Sequence, residues 1–268
     1  MSDNMRKKLK IGIIGCGAIG SSLAKAIRRD FKGSAVLAAL YDLDRSKIGF
    51  PAAKSREELI KKSDLVIEAS SSEFSFEIAK EVLGEGKDII IMSVGGIAGK
   101  LKELTRIAQE YGGRVYIPSG AISGVDALKA ARIAGVKKVT LTTRKHPFSF
   151  KGVGYINKRG IRLDKIKKDK VLFFGPAYLA MRYFPQNINV AGILGLAGIG
   201  AKKTMVKIIA SPGTKKNIHE LEIDSAAARI KTLTENILHP DNPKTSYLAV
   251  LSAIATLRQV LEPVKIGT

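Results

Sequence analysis

A chain of 268 residues, 45% of them hydrophobic, is long enough to bury the cores of two domains and has the composition of an ordinary globular protein. Its single cysteine excludes an internal disulfide framework and a multi-cysteine metal site, no metal is expected, and no apolar run reaches bilayer-spanning length. The net charge of +21 attracts anions, but the basic residues are scattered in pairs such as Lys61-Lys62, Lys137-Lys138 and Lys202-Lys203, which reads as a lysine-rich solvated surface and not as a dedicated nucleic-acid site.

The basic start Met5-Arg6-Lys7-Lys8 leads into a strand broken by glycine, not into a signal peptide, so a reducing, cytoplasmic location is expected. Residues 9–14 form a β-branched apolar run, as a buried parallel strand should. Gly15-Cys16-Gly17-Ala18-Ile19-Gly20 follows directly, and then a segment with helical spacing. This order is a dinucleotide-binding signature. The first glycine allows a tight turn, the second a close approach of backbone to pyrophosphate, and the third close packing of helix on strand. Cys16 reads as a small residue in that turn. The N–H groups of the loop and of Ala18 and Ile19 then face the phosphates at the positive end of the helix. A second apolar run, 35–41, ends at Asp42, 22 residues after Gly20, where a carboxylate accepts from the ribose hydroxyls of NAD. Arg45 lies close enough in sequence to cradle the extra phosphate of NADP, so use of either cofactor stays open.

The alternation continues. Ser55 and Glu58 form a capping box for a helix ending at Lys62. Strands are expected at 64–69, 88–92 and 114–117, helices at 74–83 and 99–111, and a turn at Ser93-Val94-Gly95-Gly96 on the ligand-binding edge of the sheet. These elements make a doubly wound parallel sheet over 1–118, which the break Pro118-Ser119-Gly120 ends. The rest, 119–268, reads as an α/β domain. A helix around 126–131 stops at Gly135, and a strand covers 137–144. The basic stretch 146–169 has no clear periodicity. An apolar run over 187–200 suits a buried helix. Three strands, 204–210, 217–223 and 227–234, are expected to lie adjacent and antiparallel. A last helix covers about 246–261, with an apolar face able to pack back on the first domain.

Several segments of the second part carry a resemblance. Ser119-Gly120-Ala121-Ile122-Ser123-Gly124, Val139-Thr140-Leu141-Thr142-Thr143-Arg144-Lys145, Phe184-Pro185-Gln186-Asn187-Ile188-Asn189-Val190, Asn217-Ile218-His219-Glu220 and Asn242-Pro243-Lys244-Thr245-Ser246 resemble the L-aspartate dehydrogenase family in order and spacing along nearly the whole chain. The resemblance implies a Rossmann domain joined to an α/β domain that supplies the substrate pocket and the oligomer contacts, with a homodimer favoured. It implies oxidation of L-aspartate to iminoaspartate with NAD or NADP, feeding NAD biosynthesis. Residue by residue, it implies cofactor contacts at Ala121 and Asn189 and a catalytic role for His219. The chain departs from the family pattern at Gly95-Gly96-Ile97, Phe174-Gly175 and Leu194-Gly195-Leu196, none of which includes those three residues.

Chemistry agrees with the histidine, since imidazole titrates near neutrality and suits proton transfer in amine oxidation. His146 and His239 read as solvated surface residues. Lys244, Thr245 and Ser246 are expected to open the last helix, where N–H and hydroxyl groups receive a substrate carboxylate or simply cap the helix. Two alternatives stay open. A two-domain reductase remains one, although the second part has no paired histidines followed by a lysine, as the dihydrodipicolinate reductase type would, and its segments around His219 and Lys244 have no place in the homoserine dehydrogenase pattern. An NAD-sensing, nucleic-acid-binding regulator finds no helix-turn-helix or RNA-binding motif here.

Overall fold

The computed structural model describes residues 7–184, 188–240 and 242–267, and only the backbone of Ile188, Pro243 and Lys244. Contacts divide the chain into two units. One runs to Pro118 and also takes Val250–Ile266; the other is Ser119–Ala249 with Gly267.

The first unit is a five-stranded parallel sheet in the order β2-β1-β3-β4-β5. Its elements are β1 (Leu9–Ile14), α1 (Ala18–Arg29), β2 (Ala35–Tyr41), α2 (Arg56–Lys62), β3 (Leu65–Glu68), α3 (Ser75–Gly84), β4 (Asp88–Ile91), α4 (Leu101–Tyr111) and β5 (Val115–Tyr116). Burial on both faces explains why β3 and most of β4 are continuous apolar runs. Local signals set the helix ends. Ser55 Oγ accepts from the Glu58 N–H at 3.1 Å, while the Glu58 carboxylate reaches past the cap to the Lys54 N–H at 2.6 Å. Gly112 closes α4 in the left-handed region at φ 85°.

The second unit holds α5 (Val125–Ala134), β6 (Val136–Lys145), α6 (Gly154–Lys158), β7 (Lys170–Pro176), α7 (Ala177–Tyr183), α8 (Ile188–Ala197), β8 (Met205–Ala210), β9 (Asn217–Ser225), β10 (Arg229–Asn236), β11 (Leu238–His239) and β12 (Asn242–Ser246). Its main sheet is mixed, in the order β10-β9-β6-β8-β7. The expected triplet of adjacent antiparallel strands is therefore corrected. β9 and β10 pair antiparallel, but β6 lies between β9 and β8 and runs parallel to β8. The crossover needed to make that parallel pair contains the short helices of 154–197. The unassigned stretch 146–169 holds two short 3-10 turns and α6. The apolar run forms α8 from Ile188; its first expected residue, Asn187, lies with Pro185 and Gln186 outside the described residues.

The last helix, α9 (Tyr247–Leu261), places Ala253 and Leu257 in the core of the first unit with Leu23, Ile27 and Leu37. Each is below a tenth exposed, so this terminal segment completes the hydrophobic face of α1 and β1. Among the described residues no helix is long and apolar enough to cross a membrane.

Candidate active site

In the first unit the three motif glycines do three separate things. Gly15 turns at φ 97°, and a Cβ there would sit 2.4 Å from the Ala69 carbonyl oxygen. Gly20 lets α1 press on the loop, since its Cβ would stand 1.9 Å from the Gly15 oxygen. Gly17 faces open space, the room a pyrophosphate needs. The first bond of the helix runs from Ser21 N–H to the Gly17 oxygen at 2.9 Å, so the N–H groups of Ala18, Ile19 and Gly20 precede the intrahelical ladder. Cys16 is buried and its thiol pKa is pushed up to about 11 by burial and by Asp42, which makes it an inert packing group.

Asp42 stands at the end of β2 and latches this loop. Its Oδ2 accepts from the Cys16 N–H at 2.7 Å and its Oδ1 from the Asp44 N–H at 2.8 Å. A cavity of about 530 Å³ opens here, lined by Gly15, Gly17, Asp42, Lys47, Arg56 and Ser70 among others. Arg45 is not free to cradle a phosphate. Its guanidinium donates to the Ala53 and Lys54 carbonyls at 3.1 and 2.6 Å. The cations that line the cavity are Lys47, paired with Asp44 at 3.1 Å, and Arg56, paired with Glu81 at 2.8 Å.

Glu68, which sequence reasoning passed over, is fully buried at the carboxyl end of β3. It accepts from Ser70 N–H and Oγ and from Ser93 Oγ at 2.7–2.9 Å, and from Ser93 N–H at 3.0 Å. One carboxylate thus ties the loops after β3 and β4 at the edge where open parallel sheets bind ligands.

In the second unit His219 lies on the inner face of the sheet, 4% exposed, with Nδ1 3.0 Å from Thr143 Oγ1 directly across the β6–β9 pair. Burial, aided by the charge of Lys145, pulls its pKa down to about 3. Burial thus disfavours the imidazolium here and moves this histidine away from a titration near neutrality. Thr234, the partner of His219 on β10, bonds Ser123 Oγ at 2.9 Å. Two residues on, Asn236 Nδ2 donates to the Ala121 oxygen at 3.0 Å, and Ser246 Oγ donates to Asn236 Oδ1. The sheet end thereby gathers Ala121, His219 and Ser246 around β10. Asn189 is an exposed residue in the first turn of α8.

Lys244, Thr245 and Ser246 do not open the last helix. They belong to β12, paired with β11, and the first N–H of the helix, on Tyr247, bonds the Ile237 oxygen at 2.9 Å. The Lys244 side chain lies outside the described residues. His239 is also corrected, being 6% exposed and packed edge-on against the Tyr247 ring at 5.4 Å. Lys145, two residues past Thr143 on the same face, is a buried cation that the sequence did not mark. The only signal was its place in the strand's inward alternation.

A glycine loop latched by an acid on a parallel sheet, with a buried histidine on a second, mixed sheet, defines a two-unit NAD(P)-dependent oxidoreductase. Family profiles agree, "Homoserine dehydrogenase, NAD binding domain" matching residues 15–118 and "Aspartate dehydrogenase, C-terminal" matching 126–260. The L-aspartate dehydrogenases of Methanosarcina barkeri and Methanococcoides burtonii are 42% and 44% identical over 271 residues, covering 97% of this chain and 100% of each relative. The crystal structure of aspartate dehydrogenase from Thermotoga maritima is similar with a TM-score of 0.76 at 28% identity, covering 97% of this chain and 100% of that one. A homoserine dehydrogenase from Thiobacillus denitrificans shares the fold, with a TM-score of 0.63 at 15% identity over 95% of this chain and 73% of that one. The chain belongs to the L-aspartate dehydrogenase family.

Proposed function

We propose that this protein oxidises L-aspartate to iminoaspartate with NAD or NADP, the imine then hydrolysing to oxaloacetate and ammonia. The observation that carries the reading is the buried, neutral His219 held by Thr143 in a chain that aligns end to end with L-aspartate dehydrogenases. The bound nicotinamide supplies the hydride acceptor. The backbone of Gly15, Gly17, Ala18, Ile19 and Gly20 would hold its pyrophosphate and Asp42 its ribose hydroxyls, and Ala121 and Asn189 are the further cofactor contacts that the family resemblance implies.

In the tautomer that donates Nδ1–H to Thr143 Oγ1, His219 presents the Nε2 lone pair. That nitrogen accepts a hydrogen bond from the substrate amine, whose ammonium proton has passed to solvent, and so orients the lone pair that becomes the second C–N bond as hydride leaves Cα. The same nitrogen then orients the water that attacks the imine, the proton of that water passing to solvent. Thr245 and Lys244 are candidates for holding a substrate carboxylate, whereas the Ser246 hydroxyl gives its one proton to Asn236 and holds that side chain in place.

The reading is of a cytoplasmic homo-oligomer, a dimer. The outer face of the second sheet supports it. One row across that face runs Phe174, Lys207, Thr142, Glu220, Leu233, and the terminal Phe174 and Leu233 are 61% and 60% exposed.

The test is NADH absorbance with purified protein against L-aspartate, L-glutamate, L-alanine, L-malate and L-homoserine at neutral and mildly alkaline pH. Aspartate should be turned over fastest, and a misplaced glutamate should lose about 10²-fold. Faster turnover of malate or homoserine than of aspartate overturns the assignment.

A further inference from the structure

Lys145 ends β6 on the inner face of the second sheet, next to Thr143 on that face and diagonally across from His219. It is 7% exposed. Burial alone, with no countercharge set against it, pulls its pKa down to about 8. The packed neighbours explain this. β9 brings His219, and β8 brings Ala210 alongside, its Lys207 lying with Thr142 on the opposite face. Arg144 and Glu220 pair with each other on that opposite face at 3.1 Å. Asp126, Lys129 and Arg132 of α5 are exposed. A buried ammonium without an anionic partner is costly to the fold, and a methionine would fill much the same space without that cost.

We propose that Lys145 is a specificity-determining residue whose ammonium receives one carboxylate of a dicarboxylic substrate beside His219. The proposal rests on the aspartate reading above and names the group that selects the substrate's acidic end. A docking carboxylate supplies the missing countercharge in a site shielded from water, so attraction there is stronger than at the surface. It also divides labour between the two buried bases. Lys145 carries the charge that binds, and that charge, with burial, keeps His219 neutral, its free ring nitrogen open to a hydrogen bond.

The probe is succinate, a four-carbon dicarboxylate with no amine, so any pH dependence of its binding reports the protein. Binding is measured by calorimetry on the full chain with NAD present, from pH 6.5 to 10, for wild type, Lys145→Met and Lys145→Arg. Wild-type affinity should fall about tenfold per pH unit above the lysine's pKa. Lys145→Met should bind roughly 30-fold more weakly at pH 7 and lose the pH dependence. Its NAD affinity should be unchanged and its melting temperature equal or higher. Lys145→Arg should restore part of the binding and show no fall up to pH 10. Succinate binding by Lys145→Met equal to wild type, wild-type affinity that is flat from pH 7 to 10, or no succinate binding by wild type overturns the proposal. If Lys145→Met fails to fold, the arginine variant decides, a flat profile supporting the proposal and a wild-type profile overturning it. Wild-type turnover of L-aspartate, run alongside, tests the underlying reading separately, because succinate binding needs no turnover.

Discussion

Asp42 already accepts two backbone hydrogen bonds within its own protein, so its place beside the glycine loop does not depend on a ligand. Its spare lone pairs are what a ribose diol would use. Asp42→Ala should therefore weaken NAD binding by roughly 1.5–3 kcal/mol, the worth of a charge-assisted hydrogen bond. NADP binding should suffer less, because its 2′-phosphate gains from losing a nearby carboxylate and from Lys47. Calorimetry with both cofactors decides, and equal losses would make Asp42 a loop latch only. His219→Ala should lower kcat by about 10²–10⁴ with NAD affinity nearly intact, as loss of a group that orients the reacting amine and water does. Burial also makes this histidine a pH sensor for stability. Its pKa falls from 6.5 to about 3 on folding, so the unfolded chain binds the proton first. Stability attached to it is whole above about pH 6.5 and drains away as pH falls toward 3. Urea midpoints at pH 4.5 and 7.5 should differ less in His219→Ala than in wild type.

At the scale of elements, what the sequence made legible followed from burial and caps. β1, β3 and β4 stood out because both faces are covered, and α2 because Ser55 and Glu58 mark its start. β7 and α7 escaped the reading. β7 is an edge strand with a register shift between Val171 and Phe173, and it leaves Val171 and Phe174 exposed, so no clean alternation survives. Strand order escaped too, because adjacency in sequence cannot place β6 between β8 and β9. The segment Asn242–Ser246 has the proline and hydroxyl residues of a helix start, yet its backbone pairs with β11 instead. The same limit applied to side chains. The glycine loop and Asp42 are written in local spacing. Lys145, Glu68 and Asn236 act through partners 25 to 115 residues away in sequence or through burial, and spacing carries neither.

For the whole molecule the dominant physical fact is charge. Surface ion pairs such as Lys61–Glu57, Lys62–Glu58 and Arg106–Glu110 join helix neighbours four residues apart at the solvent-facing surface. Pairs of that kind contribute little to stability and weaken with salt. Against them stand 45 basic and 24 acidic residues, so even complete pairing leaves a surplus of 21 cations repelling one another. The surplus should win. Raising sodium chloride from about 0.05 to 0.5 M shortens the screening length from roughly 14 to 4 Å, which relieves more repulsion than attraction. The melting temperature should therefore rise with salt. Binding of anions should move the other way, because the field that strains the fold also draws in NAD and dicarboxylates. KM for NAD and for L-aspartate should climb several-fold over the same range, with kcat nearly constant. Differential scanning calorimetry and steady-state kinetics on one salt series check both. A melting temperature that falls with salt would mean the exposed ion pairs outweigh the net repulsion, and a salt-independent KM would confine the protein's attraction for its ligands to the short-range contacts of the two buried sites.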